Sequence, residues 1–250
     1  MKKVNLIFAL FLCSCSSFYQ DTTIDETEKL SLSLQIGSLD KAQSIATENL
    51  IKDPGSMGAN FDLSDIYYKQ GKYDLQYRTL SAMRISEQDN ARDFIKLKLK
   101  LMQNSLRRNS YPETVLLFSS IEGSEHLQGQ QRGKAMEYAA VALCKSKDYD
   151  RCLNLLNGAM KFLPGDTGVI DNINIANYMK NSKNGSESIS SLYQGYNDSR
   201  SGTMLANLVM ALIKENNEGQ AYKLLNLHYS NNDSLKIIEE LRLIYNENNT

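Results

Sequence analysis

The residues with the most reactive side chains are four cysteines and two histidines in a chain of 250 residues. Cys13 and Cys15 lie at the end of an N-terminal apolar segment, whereas Cys144 and Cys152 lie close together in the second half of the chain. A cysteine can carry a lipid, form a disulfide, bind a metal or fill a small space in the core. The residues around each cysteine indicate which of these roles it can have.

The start of the chain has the pattern of a bacterial lipoprotein signal. Two lysines precede an apolar run of nine residues, which is typical of a secretory signal and shorter than the roughly 20 residues that cross a bilayer. Cys15 resembles the lipid-bearing residue of a lipobox because Ser14 before it is small. Cys13 fits less well because the bulky Leu12 precedes it. An ordinary signal peptide that is cut nearby is the alternative.

This pattern predicts a signal peptide at residues 1–14 and a lipidated tether at residues 15–22, with the lipid on Cys15. By analogy with bacteria that have two membranes, Ser16 after the lipidated cysteine favours the outer membrane, where an aspartate would favour the inner one. No later segment is apolar enough to cross a membrane. We therefore expect an outer-membrane lipoprotein that faces the periplasm and is held there by its lipid alone.

Cys144 and Cys152 fall near the end of one predicted helix and the start of the next. Their Cα atoms can therefore lie within the roughly 7 Å that a disulfide requires, and an oxidising periplasm would let them pair. An equally good interpretation makes Cys152 a small core residue and Cys144 an apolar wall. His126 and His228 share no ligand spacing with these cysteines, so no metal site is predicted.

The sequence predicts neither catalysis nor binding to nucleic acid. It has no HExxH, GxSxG, CxxC or glycine-rich phosphate-loop motif. Carboxylates such as Glu137, Asp148 and Asp150 fall on a solvated helix face or at a helix start. The net charge of −1 gives no basic excess for nucleic acid or anionic lipid. We expect no enzyme activity, no cofactor and no small-molecule substrate.

The elements that position these residues are predicted to be pairs of short helices. In residues 133–166, apolar and small side chains recur at helical spacing in two blocks, which the polar turn KSKDY separates. Ala140, Cys152 and Ala159 are small enough for the two axes to approach within roughly 8–10 Å. Pro164 then ends the second helix. A helix–turn–helix of 34 residues with small seam residues and a closing proline is the tetratricopeptide pattern.

Copies of this unit extend over the rest of the chain. Gly71 stands 34 residues after Gly37, and the neighbouring positions keep the same offset. We predict an all-α fold, a right-handed tetratricopeptide superhelix of about six helical hairpins plus a C-terminal capping helix, over residues 23–250. The units are 23–56, 57–90, an irregular 91–132, then 133–166, a weaker 167–201 and 202–235, with the terminal helix at 235–245.

Three segments depart from a regular array. Gln76 stands where alanine is usual, so the second unit is expected to pack less closely. The alternating KLKLKLM at residues 96–102 can form a strand, but the helical spacing on both sides favours a helix. The polar stretch at residues 122–133 is expected to be a flexible loop.

The first helices of stacked units line a concave groove, and we predict that a protein partner binds there as a peptide or helix. The alternative is that Phe61 and Tyr68 pack against neighbouring units and that the groove is empty. The predicted lining residues are Phe61, Asp65, Tyr68 and Lys69, followed by Glu137, Val141 and Lys145, and then Tyr178, Met210 and Ile213.

A lipobox followed by about six such units resembles the tetratricopeptide lipoproteins of bacterial secretin and pilus systems. In particular it resembles the TadD family of the tight-adherence (Flp) pilus apparatus, through the stretches MEYAAVALCKSKDY with LNLLNGAMKFLPGD, GVIDNINIANYMK and MLANLVMALIKENNEGQAYKLL. The resemblance implies a pilotin-like assembly factor that binds the secretin or another pilus component. A scaffold for another envelope machine (a type IV pilus secretin, outer-membrane protein insertion or cell-wall synthesis) and an enzyme assisted by the array are the alternatives.

Overall fold

The computed structural model describes residues 25–181 and 186–247, and these form thirteen α-helices and no β-strand. The predicted signal peptide, the tether and Cys15 lie outside the described residues. The predicted series of six helical hairpins and a terminal helix is confirmed. The helices are α1 (Glu26–Gln35) and α2 (Leu39–Lys52), α3 (Met57–Lys69) and α4 (Tyr73–Ala82), α5 (Ala91–Arg107) and α6 (Tyr111–Ser119), α7 (Gly129–Lys145) and α8 (Tyr149–Met160), α9 (Thr167–Lys180) and α10 (Ser186–Ser199), α11 (Gly202–Lys214) and α12 (Glu218–Leu225), and α13 (Asn231–Glu247).

The ambiguous KLKLKLM segment lies inside α5, as the helical interpretation predicted. Ile95 and Met102 are both buried in the core between α5 and α7. Residues that are seven positions apart share one face of a helix but would lie on opposite faces of a strand. The helix therefore buries both side chains at once, whereas a strand would leave one of them in solvent.

The connector at residues 122–133 is ordered by its own side chains, so the expectation of a flexible loop was wrong. The guanidinium of Arg132 donates hydrogen bonds to the backbone carbonyls of Leu127 (2.8 Å), Glu122 (3.1 Å) and Ser124 (3.0 Å). Leu127 is completely buried in the adjoining core. Polar composition indicated a loop, but an arginine that donates to three carbonyls closes this segment, and α7 begins within it.

The terminal helix α13 has the capping position predicted for it. It packs on both α11 and α12, and its Ile238 is buried there. The core below it is the largest apolar cluster among the described residues and contains the fully buried side chains of Met204 and Leu208. A helix that covers the last hairpin removes this apolar face from water, which arrays of repeats require at their ends.

Small side chains form the seam between α7 and α8, as the sequence predicted. Ala140, Cys152 and Ala159 have no exposed surface. Gly133 makes a similarly close approach at the other end of α7, because a Cβ atom there would lie 2.6 Å from Cγ of Leu163. Small side chains at the first three positions, and the lack of one at Gly133, let the two segments approach closely.

Replacing Gly133 with alanine should lower the free energy of unfolding by about 1–2 kcal/mol, because the new methyl group overlaps the buried Leu163. Urea denaturation followed by circular dichroism measures the effect. Gly219 in α12 is the matched control, since a Cβ atom there meets nothing within 4 Å. Gly219→Ala should raise stability by up to about 1 kcal/mol. If Gly133→Ala also raised it, the close approach would be disproved.

Gln76 of the second unit has a polar partner on the next hairpin. It is completely buried, and its Oε1 accepts a hydrogen bond from Nδ2 of Asn104 at 2.8 Å. The same Nδ2 donates to the backbone carbonyl of Tyr73 at 2.7 Å. A polar pair from α4 and α5 therefore fills the space that a small residue occupies in other units. The partner lies 28 residues away in the chain, so local spacing could not reveal it.

Candidate functional site

Two neighbouring clefts on the first helices of the hairpins form the groove of this protein. The central cleft, of about 460 Å³, lies between α3, α5 and α7, and the distal cleft, of about 410 Å³, lies between α7, α8, α9 and α11. The two clefts share Val141 and Lys145. The central cleft is lined by Tyr68, Gln103, Leu106, Arg107, Asn109, Tyr111, Glu137, Tyr138, Val141 and Lys145, and the distal cleft by Val141, Cys144, Lys145, Tyr149, Cys152, Leu156, Asn172, Ile175, Ala176, Met179 and Asn207.

Four of the predicted groove residues line these clefts. Tyr68 and Glu137 belong to the central cleft, and Val141 and Lys145 belong to both. They come from α3 and α7, which are first helices of their hairpins. The structure therefore brings these four predicted residues together from the second and the fourth unit, which are not adjacent in sequence.

Phe61 and Ile213 were predicted to face the groove, and the structure corrects both. Phe61 is only 2% exposed and packs with Leu80 of α4 and Leu97 of α5. Ile213 is 4% exposed and belongs to the C-terminal core. Some apolar residues of a first helix face the groove, and others face the core between helices. The side chains of Phe61 and Ile213 face the core.

The other four predicted residues line neither cleft. Asp65 forms an ion pair with Lys100, and Lys69 is exposed at the end of α3. Tyr178 is half-buried against the C-terminal core, and Met210 is also half-buried. These side chains contribute to the surface or the packing of their units but not to the walls of the groove.

The sequence did not point to the groove residues that α5 supplies, of which Arg107 has the largest role. Its Nε donates a hydrogen bond to the hydroxyl oxygen of Tyr68 at 3.0 Å, and its guanidinium lies 5.7 Å from the centre of that ring. This hydrogen bond raises the pKa of Arg107 above its ordinary value, so the side chain stays charged. The irregular length of the third unit hid the position of Arg107, whereas an alignment of all first helices by their C-terminal ends could have found it.

The central cleft has an uncompensated positive charge. Its only lining carboxylate, Glu137, is 12% exposed and accepts a hydrogen bond from Nζ of Lys134 at 2.8 Å. Arg107 and Lys145 form no ion pair with any carboxylate in the part of the chain that the structure describes. Burial raises the pKa of Tyr138, which lies beside them, so this phenol stays neutral. The cleft therefore offers two cations and several aromatic rings to a ligand.

Lys134 also forms an ion pair with Asp166, the residue immediately before α9. This pair makes the free energy of unfolding depend on pH. Burial raises the pKa of Asp166, but hydrogen bonds from Nζ of Lys134 (3.0 Å) and the backbone N–H of Val169 (3.1 Å) outweigh it. The pKa consequently lies below its ordinary value of 3.8. A lowered carboxyl pKa stabilises the fold above the ordinary value and loses this contribution as the pH falls through the folded value.

Replacing Asp166 with asparagine keeps an acceptor for the Val169 N–H but removes the charge that binds Lys134. We expect the variant to be less stable than the wild type by about 0.5 kcal/mol at neutral pH. The difference should shrink below about pH 4 and vanish in more acidic buffer. Paired urea titrations across this range test the expectation, which a difference independent of pH would contradict.

The wall of the distal cleft contains the two cysteines, and the structure joins them. Cys144 at the end of α7 and Cys152 in α8 form a disulfide with their Cα atoms 5.4 Å apart. Ile175 and Met179 of α9 face the same cleft, and Met179 is 45% exposed although its side chain is apolar. Apart from the shared Lys145, no charged residue lines this cleft. It is therefore an apolar site beside a cationic one.

Within residues 25–181 and 186–247, no three His, Cys, Asp or Glu side chains lie together as a metal ion would require. No helix in these ranges combines the length and the apolar character that crossing a membrane demands.

Comparison with known proteins shows what kind of fold carries this groove. No protein-family model and no curated protein sequence matches the chain. A chain of the APC/C hetero-tetramer Cut9–Hcn1 is similar in structure, with a TM-score of 0.63 and 14% identity over 89% of this chain and 43% of that one. This chain thus spans less than half of that protein's length.

Two further solved structures are similar over most of their own length. A tetratricopeptide repeat protein from Parabacteroides merdae has a TM-score of 0.62 at 13% identity, over 89% of this chain and 84% of that one. The MamA protein has a TM-score of 0.53 at 11% identity, over 70% of this chain and 90% of that one. At such identities the likeness concerns the fold alone, and the fold of this chain is that of the tetratricopeptide-repeat proteins.

Proposed function

We propose that this protein is a non-enzymatic scaffold that binds a segment of a protein partner in its groove. The observation that carries the proposal is the joined pair of clefts, which together extend from α3 to α11 and meet at Val141 and Lys145. A small molecule would fill one enclosed pocket, whereas connected open clefts suit a chain laid across several helices.

The side chains of the groove have the chemistry that peptide binding uses. Tyr68 and Tyr138 provide aromatic surface, and Asn172 and Asn207 provide side-chain amides. The side chain of Asn172 makes no hydrogen bond in the part of the chain that the structure describes. A side-chain amide both donates and accepts hydrogen bonds, so it can pair with the backbone of an extended peptide whatever its sequence.

We further propose that the scaffold acts in the bacterial envelope, as an outer-membrane lipoprotein anchored through Cys15 and facing the periplasm. Its N-terminal pattern of lysines, apolar run and Ser14–Cys15 supports this, and so does the disulfide, since such bonds persist in oxidising compartments. The resemblance to the tight-adherence pilus lipoproteins suggests the secretin or another pilus component as the partner. In that case the protein would assist assembly as a pilotin does.

Photo-crosslinking in living cells tests the proposed partner. A crosslinkable amino acid at Val141, where the clefts meet, should yield an adduct that contains a secretin or another component of a pilus apparatus. The same amino acid at Leu116, which is 72% exposed on α6 and lines neither cleft, is the matched control and should yield none. Equal crosslinking at both sites would contradict the groove.

Deletion of the gene and a lipid label test the envelope role. Loss of the protein should reduce secretin multimers and pili, and unchanged multimers and pili would contradict the pilus assignment. Pilin, secretin and ATPase genes beside its gene would favour the pilus over another envelope machine. Radiolabelled palmitate should enter the wild type but not Cys15→Ser.

A further inference from the structure

We propose that the groove selects an acidic segment of its partner. An Asp or Glu side chain would lie between Arg107 and Lys145 in the central cleft, and a large apolar side chain about three residues away would enter the distal cleft. This inference rests on the proposed function, since it requires that the groove binds a protein segment.

The central cleft carries positive charge without a free carboxylate. Arg107 and Lys145 project from neighbouring first helices, α5 and α7, and line the same space. Glu137, which could balance them, is instead bound to Lys134 at 2.8 Å. Two cations that line one cleft without a carboxylate partner attract an anion from solution. A carboxylate on the bound segment would supply this missing charge.

The positive charge of the central cleft is not shared by the chain as a whole. Lys100, Lys180 and Arg242 each contact a carboxylate on another helix of the array. The whole chain carries a net charge of −1, so general basicity does not explain the positive cleft. The charge is therefore local to the groove, as expected where a binding site is complementary to its ligand.

The distal cleft is suited to an apolar side chain. Ile175, Met179 and the Cys144–Cys152 disulfide give it apolar walls, and Lys145 at its border is the only charged residue among its lining. An exposed methionine in a concave apolar site adapts its shape to different apolar side chains. This cleft therefore suits Leu, Ile, Met or Phe and rejects a second charge.

The distance between the clefts sets the spacing in the ligand. The acidic side chain would lie between α5 and α7 and the apolar one between α7 and α9, one helix spacing further along, and packed helices lie roughly 8–10 Å apart. An extended peptide advances roughly 3.3 Å per residue, so about three residues separate the acidic side chain from the apolar one. Asn172 and Asn207 line the distal cleft and can bind the backbone of the peptide there.

Selection of peptides from a random library displayed on phage tests the inference with the full chain as bait. The peptides recovered should be enriched in Asp or Glu with a large apolar residue about three positions away. A labelled copy of the most enriched peptide should bind about fivefold more weakly to Arg107→Gln and to Lys145→Gln, and binding should weaken with added salt. Lys69→Gln, which removes an exposed lysine outside both clefts, should bind as the wild type does.

Each contrary outcome has a distinct meaning. Peptides that crosslink at Val141 but show no acidic preference would overturn this inference and leave the proposed function standing. The failure of any selected peptide to crosslink at Val141 would overturn both. If a labelled oligothymidine competed for the same cations and bound more tightly than the peptides, the cleft would be assigned to nucleic acid and the inference would also fail.

Discussion

Replacing Phe61 with alanine is expected to lower the free energy of unfolding by about 3–5 kcal/mol. The ring is 2% exposed and joins α3 to Leu80 of α4 and Leu97 of α5, so its removal leaves a cavity where two hairpins meet. The ammonium group of Lys96 also lies over this ring, with its Nζ 4.1 Å from the ring centre. Urea denaturation followed by circular dichroism and by hydrogen exchange in α3 to α5 measures the loss.

Tyr68→Phe is the matched control for this large effect. It keeps the ring in the groove and removes only the hydroxyl that accepts the hydrogen bond from Arg107. We expect it to cost about 1 kcal/mol or less, because the site is partly exposed to water. If Phe61→Ala instead left stability unchanged and weakened peptide binding, Phe61 would be a groove residue after all.

Removal of the disulfide is the other substitution with a large expected effect. The double variant Cys144→Ala with Cys152→Ala should unfold with a free energy lower by about 2.5 kcal/mol in oxidising buffer, which is the value that loop-closure entropy gives for a bridge of this length. The bridged residues are eight positions apart, and Cys152 is fully buried where other units also have small residues. Alanine at this position therefore preserves the seam, so the change isolates the covalent link.

Dithiothreitol provides the control for the disulfide. It should destabilise the wild type to about the level of the double variant and should leave the variant unchanged. Peptide binding to the distal cleft should weaken in the reduced wild type and in the double variant, because the bridge forms part of the wall of this cleft. A wild type that is equally stable with and without reductant would contradict the bridge.

The repeat pattern shows how much local spacing can predict. The small residues Ala140, Cys152 and Ala159 were correctly placed in the seam of a hairpin, because residues at helical spacing necessarily share one face. For the same reason the ambiguous segment at residues 96–102 was correctly predicted as helix. These features depend on residues less than a few turns apart, so one stretch of sequence contains all the information that determines them.

The groove depended on information that no single stretch contains. Helical spacing places Phe61 and Tyr68 seven positions apart on the same side of α3, yet one is buried in the hairpin and the other lines the central cleft. Their positions along α3 decide this difference, because Leu80 of α4 and Leu97 of α5 cover Phe61, whereas Tyr68 lies near the end of the helix that borders the cleft. Arg107 was missed because the irregular length of its unit breaks the 34-residue spacing that located other units.

The sequence alone determines a series of helical hairpins with small residues in their seams and a terminal capping helix. It can do so because helix formation and pairing within a hairpin depend on residues that are close in sequence. Within one hairpin, the tertiary structure decided that Cys144 and Cys152 are joined. Across hairpins, it decided which side chains meet: the buried Gln76–Asn104 pair, and the cations Arg107 and Lys145 in one cleft. Those contacts depend on the angle at which successive hairpins stack. That angle is set by packing over the whole interface, which the spacing of residues within any one unit does not specify.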